Sequence, residues 1–217
     1  MSAAWSSWFD DVLPDVPGAS QPLALFDIKR AAIEFLRRSR VVRARGFVTD
    51  PGGTAIRTVP SGLIPAGNKL VAIEAAKFDG RTLKPIGSEL LFDLYGDWGT
   101  EVGTPVWTFR DRAAVMAGGY FLVPAPATAS STSLWLEVSM CPSEAATDVQ
   151  DAVFEEFRDA IAAGAKWRLY ARPKKPWTNL DLAAGYRTLF DRAIATAQAK
   201  AARGADRPAL TTKPHAF

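Results

Sequence analysis

The residues best suited to chemistry are five carboxylates in one short stretch: Asp148, Asp151, Glu155, Glu156 and Asp159. Glycoside hydrolysis needs a pair of such acids, one to protonate the leaving group and one to act as base or nucleophile. The same residues at the start of a helix complement its dipole, and that solvated role is the reading their spacing favours. Nucleophilic catalysis finds no support. The single histidine, His215, falls in an aperiodic C-terminal stretch where no preorganised triad can be built. The single cysteine, Cys141, reads as a small apolar residue, and one His with one Cys cannot supply a metal site of those ligands. Gly52, Gly53, Gly96, Gly99, Gly103, Gly118 and Gly119 match neither a phosphate loop nor a dinucleotide fingerprint. No cofactor is expected, and the chain does not read as an enzyme.

Cationic and aromatic groups point instead to contact. Arg37, Arg38, Arg40, Arg43 and Arg45 fall within nine residues that hold no acid. They suit an acidic partner or a DNA backbone, or else a solvated helix end followed by outward strand positions. Lys174-Lys175-Pro176-Trp177 is either an exposed anchor or, the reading we favour, the corner at which Trp177 closes a helical hairpin. Trp98, Trp107 and Trp135 could serve as stacking platforms of a glycan-binding β module, an alternative to a cell-wall hydrolase with Glu155 or Glu156 as its acid.

The strongest periodicity lies in the last third. Val149, Val153, Phe157, Ala160, Ile161 and Gly164 predict a helix from Val149 to about Ala171, with Thr147 as N-cap and Gln150 completing a capping box. Pro173 stops it. A second helix is predicted over Leu180–Arg203, capped by Thr178 or Asn179, with Leu182, Tyr186, Leu189, Phe190, Ala193, Ile194 and Ala197 as its buried stripe. The short corner makes the pair antiparallel. Small residues (Ala162, Ala163, Gly164, Ala165 and Ala183, Ala184, Gly185) let their axes approach. An earlier helix is expected over about 22–39, capped by Ser20, with Leu25, Ile28, Ala32, Phe35 and Leu36 buried and Phe26 and Ile33 widening the apolar face. Before it, Trp5, Trp8 and Val12 share one face of a helical turn or two.

Between Val41 and about Met140 the period falls to that of short strands. Asp79-Gly80 is a two-residue hairpin signal, and Asp50-Pro51-Gly52-Gly53 is a turn. Strands are expected over Leu70–Phe78, Val106–Arg110 and Tyr120–Val123, and along Leu134, Leu136, Val138 and Met140, which alternate with polar or aromatic neighbours. Ser88 should cap a short helix reaching Tyr95, and Pro124 to Ser133 reads as loop. The fold class is therefore α+β: a helical domain of residues 1–40 and 143–205, an inserted antiparallel β barrel or sandwich of 41–142, and an extended tail of 206–217.

Length and composition agree with that organisation. The chain has 217 residues, 48% hydrophobic and 23% charged, as globular proteins do. No run reaches the roughly 18 apolar residues of a membrane helix, and no secretory signal is expected from the N-terminal sequence. One cysteine allows no internal disulfide, which suits folding in cytosol. A net charge of +3 is too small to argue for nucleic-acid binding by itself, whereas seven tryptophans and fifteen prolines suit a builder of interfaces.

Several stretches together resemble the head-to-tail adaptor proteins of tailed bacteriophages. They are Ile28-Lys-Arg-Ala-Ala-Ile-Glu-Phe-Leu-Arg-Arg-Ser39, Phe78-Asp-Gly-Arg-Thr-Leu83, Gly103-Thr-Pro105 with Val123-Pro-Ala-Pro126, and Lys175-Pro-Trp177 with Asn179-Leu-Asp-Leu-Ala183 and the close at Arg203-Gly204. The resemblance runs from about Val12 to the end and lies in order and spacing rather than in one motif. It implies a virion protein of the neck, made in host cytoplasm, that forms a homo-oligomeric ring of usually twelve copies. The ring would dock on the portal protein and carry the next tail component, with DNA passing through without sequence-specific binding and no membrane contact. It also implies that the C-terminal segment reaches the portal, with Arg207, Pro208, Leu210, Lys213, Pro214 and Phe217 as its contacts.

Overall fold

The computed structural model describes residues 2–50, 56–59, 62–94, 101–110 and 119–203. It is α+β, and the chain divides into two compact units, Met1–Val41 with Thr147–Phe217, and Val42–Ala146.

The first unit is helical. Strand β1 (Ser2–Ala4) leads into a 3-10 turn at Trp5–Trp8 and the short helix α1 (Phe9–Val12). Trp5, Trp8 and Val12 are all buried. The Trp8 indole N–H donates to the backbone carbonyl of Arg158 at 3.1 Å, so the ring's one polar group is satisfied in the core. Helix α2 (Gln21–Ser39) begins where expected, but the Ser20 side chain makes no capping bond. It ends at Arg40, whose N–H still donates to the Leu36 carbonyl at 3.0 Å while its left-handed φ of 54° turns the following chain out of the helix.

Helix α4 spans Asp151–Tyr170 and α5 spans Leu180–Arg203. The start of α4 departs from the capping-box expectation. Asp148–Gln150 is strand β9, paired antiparallel with β1 as Ala3↔Val149. The Thr147 hydroxyl bonds the Asp148 carboxylate rather than the helix end. Asn179, by contrast, caps α5: its Oδ1 accepts from the Leu182 N–H at 3.1 Å. The α4–α5 corner is closed by Trp177, which lies where a Cβ on Gly18 would be 3.5 Å from its ring.

The three long helices share one core, and Gly164 is its narrowest point. A Cβ there would lie 2.6 Å from Phe190 Cε2 on α5 and 3.0 Å from Ala31 Cβ on α2. Only glycine permits that three-way approach. Ala183 is buried as expected, whereas Ala184 and Gly185 face outward.

The second unit holds one seven-stranded sheet in the order β2-β8-β4-β5-β6-β7-β3. The strands are β2 (Arg43–Asp50), β3 (Ile56–Thr58), β4 (Asn68–Phe78), β5 (Arg81–Pro85), β6 (Trp107–Phe109), β7 (Gly119–Val123) and β8 (Ser130–Pro142). All pairs are antiparallel except β5 with β6. Asp79 and Gly80, at φ 47° and 77°, make the expected two-residue turn between Phe78 and Arg81. Val48 of β2 and Leu122 of β7 join one buried cluster with Leu134, Leu136 and Val138, so the sheet curls around it. Phe121 and Val123 of β7 face a second cluster with Leu91 and Phe109, which buries that strand on both sides.

Three expectations in this unit shift. Residues 130–133, read as loop, belong to β8. Ser139 is buried despite its polar place in the alternation, with its hydroxyl 3.5 Å from the Ala72 carbonyl. Helix α3 (Ser88–Leu94) starts one residue earlier than a Ser88 cap implies, with the Leu91 N–H on the Gly87 carbonyl. The turn at residues 51–53 lies outside the described residues.

Candidate functional site

Carboxylates and cations in the helical unit are spent on one another across helices. Asp27 of α2, only 2% exposed, is gripped by the Arg172 guanidinium: Nε to Oδ2 at 3.1 Å and Nη2 to both oxygens at 2.9 Å. Burial raises the Asp27 carboxyl above its ordinary range, and the Arg172 hydrogen bonds pull it back down. Glu34 is bonded to both Arg168 and Arg38, Asp11 to Arg158 at 2.6 Å, Asp15 to Lys166, and Glu156 to Lys200. Each of these pairs ties distant parts of the chain, apart from Glu34–Arg38 one turn apart.

This pairing decides how the acidic stretch reads. Glu156 is engaged by Lys200, Asp148 is bonded by Thr147, and Glu155 and Asp159 are exposed along α4. They line a helix flank rather than converge on a cleft. Among the described residues no group of three or more His, Cys, Asp or Glu side chains could hold a metal ion. No described helix is long and apolar enough to cross a membrane.

The arginine run is divided between the units. Arg37 is exposed at the end of α2, and Arg40 is its left-handed cap. Arg38 bonds Glu34 at 3.1 Å and Asp191 of α5 at 2.7 Å, and the hydrogen bond it donates to Asp191 raises its pKa further. In the β unit, Arg43 lies 3.5 Å from Glu137 and 3.9 Å from Glu74, and Arg45 is exposed on the same strand. The acids missing from the local sequence are thus supplied to Arg38 and Arg43 by distant segments.

The aromatic candidates separate in the same way. Trp98 lies outside the described residues. Trp107 packs on the second β cluster. Trp135 is half-buried on β8, with Lys77 Nζ 5.3 Å from its ring centroid and Phe47 opposite in register. Phe47, at 68% exposure, is the most open large apolar side chain of that unit among the described residues. Arg110, also in the β unit, donates to the Gly119 and Val71 carbonyls at 3.2 and 2.9 Å, and burial lowers its pKa. Arg207, Pro208, Leu210, Lys213, Pro214 and Phe217 lie outside the described residues.

Sequence reasoning also missed features that the structure supplies. Phe26, expected to widen the buried face of α2, is 50% exposed, with the Arg30 guanidinium 5.3 Å from its ring centroid. Leu182 and Leu189, placed in the buried stripe of α5, are 45% and 52% exposed. Hydrophobic spacing alone marks these positions as apolar without saying whether a neighbour covers them. The Asp27–Arg172 clamp left no local signal, because its two halves come from opposite ends of the unit.

What remains is a molecule without a convergent catalytic group among its described residues, whose open features include exposed helix faces. Comparison with curated proteins finds no match. The family model described as SU10 adaptor protein matches residues 4–212, nearly the whole chain. The chain therefore belongs to the SU10 adaptor protein family and is a phage adaptor-type structural protein.

Proposed function

We propose that this protein is the head-to-tail adaptor of a tailed phage, a ring, of twelve copies, seated below the portal. The observation that carries the reading is the family match across residues 4–212. In this role each copy contributes the helical domain (1–40 and 143–205) and the inserted β domain (41–142) to the ring. Residues 206–217 reach the portal. The ring carries the next tail component and lets DNA pass without reading its sequence.

Shape rather than bond chemistry does the work. A closed ring repeats one heterologous interface, so each copy must offer two different surfaces that fit each other. The exposed Leu182 and Leu189 of α5 supply apolar area suited to one of them. A tail that gains order only on its partner covers a large surface with little bulk. Its Arg207 and Lys213 suit acidic grooves, and Phe217 an apolar one.

Mixing the purified chain with portal of the same phage and viewing the product by negative-stain electron microscopy tests the assignment. A ring seated on the portal is the expected result, and portal particles left bare would refute it. Deleting residues 206–217 should leave a folded chain that no longer co-sediments with portal. Unchanged co-sedimentation would remove the tail from the interface.

A further inference from the structure

The outward side of α2 combines apolar and basic groups. Pro22, Phe26, Arg30, Ile33 and Arg37 follow at spacings of three or four, which gathers them within about 80° of arc around the helix. Phe26, Arg30 and Arg37 are exposed, and Ile33 is half-buried. Neither arginine makes an ion pair among the described residues. The two acids of α2 lie off this stripe: Asp27 is buried on Arg172, and Glu34 is taken by Arg168 and Arg38. The stripe is an open apolar surface with positive charge left over.

Helix α3 of the other unit is its chemical opposite. Leu91 is buried in the second β cluster, whereas Leu90, Phe92 and Leu94 are 53%, 59% and 53% exposed. On the side away from Leu91 stand Glu89 and Asp93, both exposed, with Phe92 to one flank and Leu90 and Leu94 to the other. From Pro85 to Phe109 the sequence holds four acids and no base, so no local cation answers them. Three large apolar side chains left open on a helix of seven residues mark a contact surface.

Charge decides what each surface meets. Two α2 stripes facing each other would set Arg30 and Arg37 against themselves, and two α3 patches would do the same with Glu89 and Asp93. Like charges brought together across an interface are penalised, and opposite ones favoured. The stripe and the patch match in both respects, apolar to apolar and base to acid, and one chain carries both.

We infer that α3 of one copy docks on the α2 stripe of a second copy. Leu90, Phe92 and Leu94 cover Phe26 and Ile33, while Glu89 and Asp93 answer Arg30 and Arg37. Because the two surfaces differ, every copy in such a pair still has one of them to offer, and the contact repeats head to tail. Closure of that repeat into a ring rests on the adaptor reading; the contact itself rests on the two surfaces.

Cysteine cross-linking tests the contact. Phe26→Cys chains mixed with Leu90→Cys chains can be joined 26 to 90 by a short bismaleimide only between copies, since the native Cys141 is buried. The mixture assembled on portal should give joined pairs, and neither variant alone should. Rings on portal without the 26–90 link would overturn the inference and leave the adaptor reading standing. A link from Leu90→Cys to Leu189→Cys of α5 in its place would do the same. If no ring forms on portal, the adaptor reading falls and the concentrated free chain decides the contact: joined pairs there uphold it, and unjoined chains end it.

Charge exchange tests the cause. Arg30→Glu with Arg37→Glu, and Glu89→Lys with Asp93→Lys, alter exposed groups only. Either double variant by itself should associate about tenfold more weakly than wild type, because like charges now meet at every contact. Mixed one to one, the two variants again set acid against base at each contact, and association should return. Undiminished association of either variant alone, or no recovery on mixing, would overturn the inference.

Discussion

The two units hold themselves together by different means. In the helical unit, acids and bases from distant segments meet across helices: Asp27 with Arg172, Glu34 with Arg168, Asp11 with Arg158 and Asp15 with Lys166. In the β unit the apolar faces of the strands do most of the holding. The ion pairs described there are those of Arg43 with Glu74 and Glu137. The difference follows from geometry. Helices meet along narrow seams, and long side chains can bridge their flanks. A curled sheet has a continuous backbone ladder and needs side chains mainly to fill its inside.

The contrast is most exposed to test at the buried pair. Asp27→Ala would leave the Arg172 guanidinium without its fork. Breaking a buried pair costs about 3–5 kcal/mol. The lower end is expected here, because the Arg172 side chain keeps 32% of its exposure and water can partly replace the carboxylate. Urea denaturation followed by circular dichroism at 222 nm measures the change. A loss below about 1 kcal/mol, the range of exposed pairs, would mean that the clamp is no stronger than a surface contact.

Next in size is the narrow point of the helical core. Gly164→Val puts atoms where Phe190 and Ala31 already stand, and the Phe190 ring is fully buried. Overpacking of this kind costs about 1–3 kcal/mol. Gly185→Ala on the facing helix is the control, since nothing lies within 4 Å of a Cβ there. It should be neutral or stabilising by about 0.5–1 kcal/mol, through helix propensity alone. Equal effects at both glycines would show that backbone freedom, and not the close approach, explains Gly164.

These same positions show how much was legible in the sequence. Helix α5 was readable to its ends, because Pro176, Asn179 and the apolar period are all local signals. The Asp79-Gly80 hairpin was readable for the same reason. Strands β1 and β9 were not, since three residues acquire strand identity only by pairing with a segment far away in sequence. The Thr147–Gln150 pattern fits a capping box equally well until that pairing is known. Of the candidate surfaces, the arginine run was visible as charge, but its meaning was not, because Asp191, Glu74 and Glu137 come from elsewhere. The α3 patch was invisible, because the same apolar residue types serve at Leu91, which the core covers, and at Leu90, Phe92 and Leu94, which it does not.

Smaller effects are expected in the β unit. Arg43 keeps 30% of its side-chain exposure, and its contacts with Glu74 and Glu137 are long, at 3.9 and 3.5 Å. Arg43→Ala should therefore cost less than about 1 kcal/mol, and the cost should shrink in high salt. A loss as large as that of Asp27→Ala would erase the contrast between the units.

The finest test separates burial from pairing at Asp27. Its folded pKa is raised, with burial as the largest cause and the Arg172 bonds opposing it. A carboxyl with a raised folded pKa contributes stability that is complete below its unfolded pKa and is lost as pH rises through the folded value. Asp27→Asn keeps the shape but cannot titrate. The stability of wild type relative to Asp27→Asn should thus be highest in acid and fall as pH passes upward through the carboxylate range. Comparing the two chains removes the titration of every other group that behaves alike in both. A difference that grows with pH would reverse the order of the two causes. It would show that the Arg172 fork more than offsets the loss of water around the Asp27 charge, and that the helical unit is braced by attraction rather than merely tolerating a buried ion.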